Sequence, residues 1–183
     1  MSSSSETSLG RLKGKVAIVT GGASPLGFGF AIARRFIEEG AKVIIGDLDG
    51  SGAESVASSL SSPNVKGVAM NVCKHEDWER VVDLAIKEFG RVDILVNNAG
   101  TTYRNKPTAE VTEDEFERVM SVNVKSIFWS VKAVVPQMQK QGGGGSIINI
   151  SSSGSIRPRP GLVWYNASKG AVSNVSLING RPW

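Results

Sequence analysis

The stretch VAIVTGGASPLGFGFAIA, residues 16–33, decides how the chain is read. Its first five residues are β-branched or small and apolar, the pattern of a strand buried on both faces. A glycine-rich turn follows directly, and the apolar spacing then lengthens to that of a helix. Such a turn lets the backbone approach a pyrophosphate. The helix start adds N–H groups without partners and the positive end of a dipole. Glycines alone decide little in a chain that holds 21 of them. Asp47 adds weight, because it closes the next β-branched run about twenty residues on, where a carboxylate can take a ribose 2′-hydroxyl. The competing reading is a tight strand–helix turn with Asp47 as a solvated loop residue.

Working outward, the same alternation repeats. VAIVT (16–20), KVIIG (42–46), VKGVAM (65–70), DILVN (93–97) and SIINI (146–150) read as buried strands. Between them GFAIARRFIEEG, SGAESVASSL, HEDWERVVDLAIKEFG and TEDEFERVMSVNVKSIFWSVKAVVPQMQK carry helical spacing. Strand–helix alternation predicts an α/β protein, a Rossmann-type doubly wound parallel sheet with helices on both faces. Thr112 and Glu115 form a capping-box pattern, and Gly40 and Gly90 sit where helices close. The run Gly142–Gly145 reads as a flexible connector. Residues 1–11 are a Ser-rich leader expected to be disordered, and residues 12–183 form one domain.

Composition narrows the class. The 183 residues carry a net charge of only +4, with one cysteine and one histidine. Cys73 alone cannot build a disulfide framework, and with His75 it cannot supply a zinc site, so no metal is expected. No dense basic cluster points to nucleic acid, and no apolar run is long enough to span a bilayer. The leader has no apolar core for secretion and no early arginine for mitochondrial import, so the cytoplasm is the default location.

Near the end the chain reads WYNASKGAVSNVSLINGRPW (164–183). Tyr165 and Lys169 are four apart, hence on one face of a helix, a spacing that suits an acid–base pair. Taken with TGG…GFG (20–29), NNAG (97–100), SVNV (121–124), ISS (150–152) and YNASK (165–169), the chain resembles the short-chain dehydrogenase/reductase family from about Leu12 to Val175. Its nearest flavour is the 3-oxoacyl-carrier-protein reductase and sugar or polyol dehydrogenase group.

The resemblance implies roles. Gly21, Gly27 and Gly29 would line the pyrophosphate, with Ser24 assisting. Asn71 and Val72 would meet the adenine, and Asn97, Ala99 and Gly100 would wall the adenosine and ribose. Ser152 would polarise a carbonyl, Tyr165 would act as acid or base, Lys169 would favour the phenolate, and Tyr165 and Lys169 would both contact the cofactor. Asn123 would connect Lys169 to solvent through water. The expected reaction interconverts a secondary alcohol and a ketone, a small-molecule substrate. NAD(H) is expected over NADP(H), since Asp47 would repel a 2′-phosphate and no Arg or Lys lies in the glycine loop or just after Asp47. A full-length relative would be a homodimer or tetramer. Alternatives stay open: Ser151 or Ser153 could be the working hydroxyl, Asn97–Asn98 a plain turn, and Asn123 a surface residue. Arg157 and Arg159, between Ser152 and Tyr165, could meet an acidic substrate or simply keep a stiff loop soluble.

Three departures from the family pattern stand out. Five residues, Gly22 to Leu26, separate the first two glycines where the family has three, and Pro25 removes an N–H. Asn71 stands where an aspartate is usual. The family also continues past the lysine with further strands and a substrate cover. The sheet is therefore expected to be incomplete at its C-terminal edge, with SIINI exposed, as in a truncated chain or a mispredicted gene end. The catalytic helix would stop at Gly180 and Pro182. The alternative function is a catalytically inactive nucleotide-binding or subunit-interacting fragment.

Overall fold

Five short apolar runs do become strands; the three most apolar bury both faces as interior members of the sheet, and the other two form its edges. A computed structural model describes residues 10–177, with side chains through Ser176; the residues before Gly10 and the stop at Gly180 and Pro182 lie outside that range. The strands are β1 (Val16–Thr20), β2 (Lys42–Asp47), β3 (Val65–Ala69), β4 (Ile94–Asn97) and β5 (Ser146–Asn149). They form one parallel sheet in the order β3-β2-β1-β4-β5. The order reverses between β1 and β4, and such a switch opens a crevice beyond the carboxyl ends of those strands.

The helices are α1 (Phe28–Glu38), α2 (Gly50–Ser59), α3 (His75–Phe89), α4 (Glu113–Met120), α5 (Ser126–Gln141) and α6 (Val163–Leu177). Strand alternation splits the core in two. Val16, Ile18, Ile44 and Leu95 pack with Trp78, Val81, Val134 and Met138 of α3 and α5. Ala17, Val19, Val43 and Ile45 pack with Ala33, Ala53 and Val56 of α1 and α2. Trp78 is fully buried and its Nε1 donates to the Val72 carbonyl at 2.9 Å, a packing role with its one polar atom satisfied.

Thr112 and Glu115 make the full capping box at the start of α4. Gly90 closes α3 in the left-handed conformation, at φ 85°. The long helical stretch 112–140 is not continuous. Ser121–Lys125 forms a π-helical segment between α4 and α5, for a reason given below. The run at 93–97 starts as a strand only at Ile94, because Asp93 is occupied elsewhere.

Asp93 is buried, and its carboxylate accepts from the Val16 N–H at 3.0 Å and from Arg91 at 2.7 and 2.8 Å. Burial pushes its carboxyl up, but the Arg91 hydrogen bonds, the Val16 amide and the Arg91 and Lys15 charges outweigh burial and hold it below the usual range. The folded pKa is thus below the unfolded value of about 3.9, so this stabilisation is complete above that value and lost as pH falls through the folded one. Asp93→Ala strands Arg91 and a buried amide and should cost about 3 kcal/mol in chemical denaturation at neutral pH, with the deficit shrinking in acid.

The two edge strands, β3 and β5, are the less buried members of the sheet. The central strands are buried over nearly all their length, whereas Ile148 of β5 and Val175 of α6 are exposed, Ile148 by 42%. No helix among the described residues is long and apolar enough to cross a membrane.

Candidate active site

The glycine turn lies at the carboxyl end of β1, where the switch in strand order opens the crevice. Gly21 takes φ 71°, and a Cβ there would sit 2.8 Å from the Ala99 backbone. A side chain on Gly29 would run into the Gly21 carbonyl. Both positions need the hydrogen that only glycine offers, because turn, helix and post-β4 segment meet at backbone distance. Gly27 is the N-cap of α1, with no side-chain cap and no acid in the first turn, so the dipole end stays unneutralised. The two extra residues close the loop on itself: the Gly27 N–H donates to the Ser24 carbonyl at 2.9 Å. Ser24 itself is exposed.

Asp47 faces the same crevice, a cleft of about 680 Å³ that Gly21, Asn71, Val72, Asn98, Ala99 and Gly100 also line. Its carboxylate accepts from the Ala23 N–H at 2.9 Å and the Asp49 N–H at 3.1 Å, so it braces the turn as well as facing the cleft. Asn71 accepts from the Cys73 N–H at 3.0 Å, which orients its side chain and leaves its amide N–H groups to donate. Burial pushes the Cys73 thiol up against a smaller pull from Lys125, so it is no ready thiolate.

Asn97 is the expected site residue that the fold turns away. Its side chain is buried, donating to Ser130 at 3.1 Å and to Asn149 at 2.8 Å. The neighbour Asn98 takes the cleft position instead, donating to the carbonyls of Thr20 and Gly21 at 2.8 Å each. Strand alternation is the cause: Asn97 ends β4 pointing inward, and the next residue points to the turn.

The second half of the site is carried by α6, the π-segment and the loop after β5. Tyr165 and Lys169 both line a hollow of about 490 Å³ that shares Phe28, Asn98, Gly100 and Thr101 with the first cleft. The two hollows therefore adjoin. Lys169 is buried, its Nζ donating to the Ile150 carbonyl at 2.8 Å, and burial pulls its pKa down. Gly100 leaves the room: a Cβ there would touch both Asn123 Oδ1 and Lys169 Nζ at 3.4 Å.

Asn123 sits in the π-segment, almost fully buried. It accepts from the Thr101 N–H at 2.8 Å and donates to the Thr101 carbonyl at 2.9 Å and to Ser168 at 2.9 Å. These tethers from the post-β4 segment and α6 hold the widened turn, which frees backbone from the i→i−4 ladder. The surface-helix alternative for Asn123 is thereby discarded.

Of the serine triplet, Ser151 lines the Tyr165 hollow and Ser152 and Ser153 do not. The Ser151 hydroxyl is spent on α6, 2.9 Å from the Lys169 carbonyl and 2.6 Å from Ser173 Oγ. Ser152 Oγ accepts from the Gly154 N–H at 3.1 Å, which leaves its own hydrogen to donate.

Sequence reasoning passed over Tyr103. It is buried, and its hydroxyl accepts from the Trp164 N–H at 3.1 Å, capping the first turn of α6 from 61 residues away. Beside it Asn105 donates to the Pro160 carbonyl at 2.6 Å, and the Lys106 N–H to that of Gly161 at 3.2 Å. The segment after β4 thus staples the loop that leads into α6. A tyrosine in a polar loop was the only sequence signal. Tyr103→Phe should cost about 1 kcal/mol and raise amide exchange at Trp164 selectively, as loss of a helix cap does.

The model of the short chain dehydrogenase family matches residues 15–178. The chain belongs to the short-chain dehydrogenase/reductase family. It is 48% identical over 167 residues to the 4-formylbenzenesulfonate dehydrogenase TsaC1/TsaC2 of Comamonas testosteroni, covering 90% of this chain and 65% of that one. It is 41% identical to the NADP-dependent (R)-specific alcohol dehydrogenase of Lentilactobacillus kefiri, covering 91% of this chain and 65% of that one. A 3-ketoacyl-(acyl-carrier-protein) reductase from Brucella melitensis, crystallised with NADH, superposes with a TM-score of 0.85 at 41% identity, covering 90% of this chain and 68% of that one. The chain thus spans just under two thirds of the length of those two curated relatives.

Proposed function

We propose that the chain is a nicotinamide-dependent oxidoreductase that interconverts a secondary alcohol and a ketone. The observation that carries this reading is the continuity of two hollows, one holding Asp47 and the glycine turn, the other Tyr165 and Lys169. The residues present fit a dinucleotide: Gly21 and Gly29 leave a cradle that a Cβ would fill, and the α1 N-terminus carries no acid. Gly21, Gly27, Gly29 and Ser24 would hold the pyrophosphate and Asp47 a ribose hydroxyl, with Asn71, Val72, Ala99 and Gly100 around the adenosine. When bound, the nicotinamide supplies or accepts the hydride.

Everything else falls to side chains of this chain. Ser152 donates its free hydrogen to the carbonyl oxygen, where negative charge develops. Tyr165 delivers the proton to that oxygen, or removes it in the oxidising direction. Lys169, buried beside it, opposes the negative charge of the phenolate that remains. Asn123 keeps the widened turn in place and with it the route from Lys169 to solvent.

Asp47 favours NAD(H), because a 2′-phosphate would face a carboxylate already holding two backbone N–H groups. Asp47→Ala should move the cofactor preference toward NADP(H) by about tenfold, read as the ratio of the two dissociation constants.

One observation favours a second reading, a nucleotide-binding or subunit-interacting chain without turnover: among the described residues β5 is an edge strand with Ile148 exposed. Purified protein separates the two. NADH oxidation with a ketone supports the first; NADH binding without oxidation supports the second and ends the first.

A further inference from the structure

We infer that the carbonyl substrate carries an anionic group, held by Arg104, Arg157 and Arg159 on the two joined segments that follow the hollow-lining residues Thr102 and Ser151. The inference rests on the reading of Tyr165 and Ser152 as the reacting centre and adds the substrate's charge.

Pairing of the arginines is the first observation. Arg11, Arg34, Arg35, Arg80 and Arg91 each hold a carboxylate. Arg104, Arg118, Arg157 and Arg159 hold none among the described residues, and all are exposed. These four are not scattered. Arg118 lines the cofactor cleft. Arg104 is on the segment after β4, and Arg157 and Arg159 are on the loop between Ser152 and Tyr165.

The second observation brings those two segments together. The Asn105–Pro160 and Lys106–Gly161 hydrogen bonds join them, so Arg104 stands beside the Arg157–Arg159 loop. That loop is itself anchored to the site: the Arg157 N–H donates to the Ser153 carbonyl at 2.8 Å, and Asn166 donates to the Arg159 carbonyl at 2.9 Å. The backbone that carries Arg157 and Arg159 is therefore tied to Ser153 and Asn166, the residues next to Ser152 and Tyr165.

The third observation is what the region lacks. Every Asp and Glu of the chain lies at or before Glu117, while basic residues continue to Arg181. Lys106, on the same segment as Arg104, is neutralised by Glu115 at 2.8 Å. Glu110, Glu113, Asp114 and Glu117 are exposed, yet none forms an ion pair with the three arginines. A loop kept soluble by charge needs no such segregation. Unneutralised guanidinium groups around a concave site raise the local concentration of anions, and their planar forks suit a carboxylate, sulfonate or phosphate.

Calorimetric titration of the protein, with NADH present, by 4-acetylbenzoate and by the neutral 4-acetylbenzamide tests this. The anionic ketone should bind about tenfold more tightly, as three exposed charge contacts allow. The gap should close in Arg104→Ala/Arg157→Ala/Arg159→Ala and in high salt, but persist in the matching triple lysine variant. Equal affinities, a gap that survives the alanine variant, or binding of neither ketone would overturn the inference. Turnover is read separately in the same samples: a charge preference without NADH oxidation overturns the oxidoreductase reading and leaves the anionic site standing.

Discussion

Tyr165→Phe should lower ketone reduction about a thousandfold, within the range for loss of a general acid, while leaving NADH affinity within about twofold. The phenol lines the reacting hollow and makes no hydrogen bond to protein among the described residues, so its oxygen supports no other part of the fold. The ring stays, and with it the packing of the first turn of α6. The melting temperature should therefore hold. Stopped-flow NADH oxidation, with cofactor affinity measured alongside, checks both halves; a tenfold loss or less would mean that another group delivers the proton.

Lys169→Met should be nearly as damaging, about a hundredfold in the same assay, because it removes the charge that opposes a developing phenolate. Its effect on stability is read from the pH dependence. Burial lowers the Lys169 pKa in the folded protein below the unfolded value of about 10.4. Between the lowered value and the unfolded one, the unfolded chain binds more protons, so the wild type gains stability as pH rises through that window. The methionine variant lacks the group and lacks that gain. The difference in unfolding free energy should thus move in favour of the wild type on going to alkaline pH; a constant difference would mean that Lys169 is not desolvated. At neutral pH the signs compete, since methionine relieves a buried charge but leaves the Ile150 carbonyl without its donor.

How far this site could be read in advance follows from what each feature depends on. Strands β1 and β2 and helix α3 were legible nearly to the residue, because burial on both faces and helical periodicity are local patterns. So were the capping box at Thr112 and the close at Gly90. The break at Ser121–Lys125 was not, since the tethers that widen it come from Thr101 and Ser168, 22 and 45 residues away. The exchange of Asn97 for Asn98 turned on where β4 ends by a single residue. Tyr103 gave no warning, because a helix cap supplied from 61 residues away has no local signature. The Arg157–Arg159 loop was visible as charge, but its staple to Asn105 and the lack of an ion pair at its arginines exist only in three dimensions.

These cases share a cause. Local backbone preference writes the elements into the sequence, whereas the orientation of polar side chains around a crevice is set by segments that meet only on folding. The glycine loop lies between the two. Its extra length was countable, but the turn it closes, with the Gly27 N–H taken by Ser24, needed coordinates.

The most direct test of the central claim follows the hydride itself. NADH carrying deuterium at the transferable position is mixed with the protein and a ketone, and the alcohol is weighed by mass spectrometry. Deuterium on the carbinol carbon, formed by the wild type and absent with Tyr165→Phe, is the result expected. Alcohol formed without deuterium, or equally fast without the phenol, would contradict it.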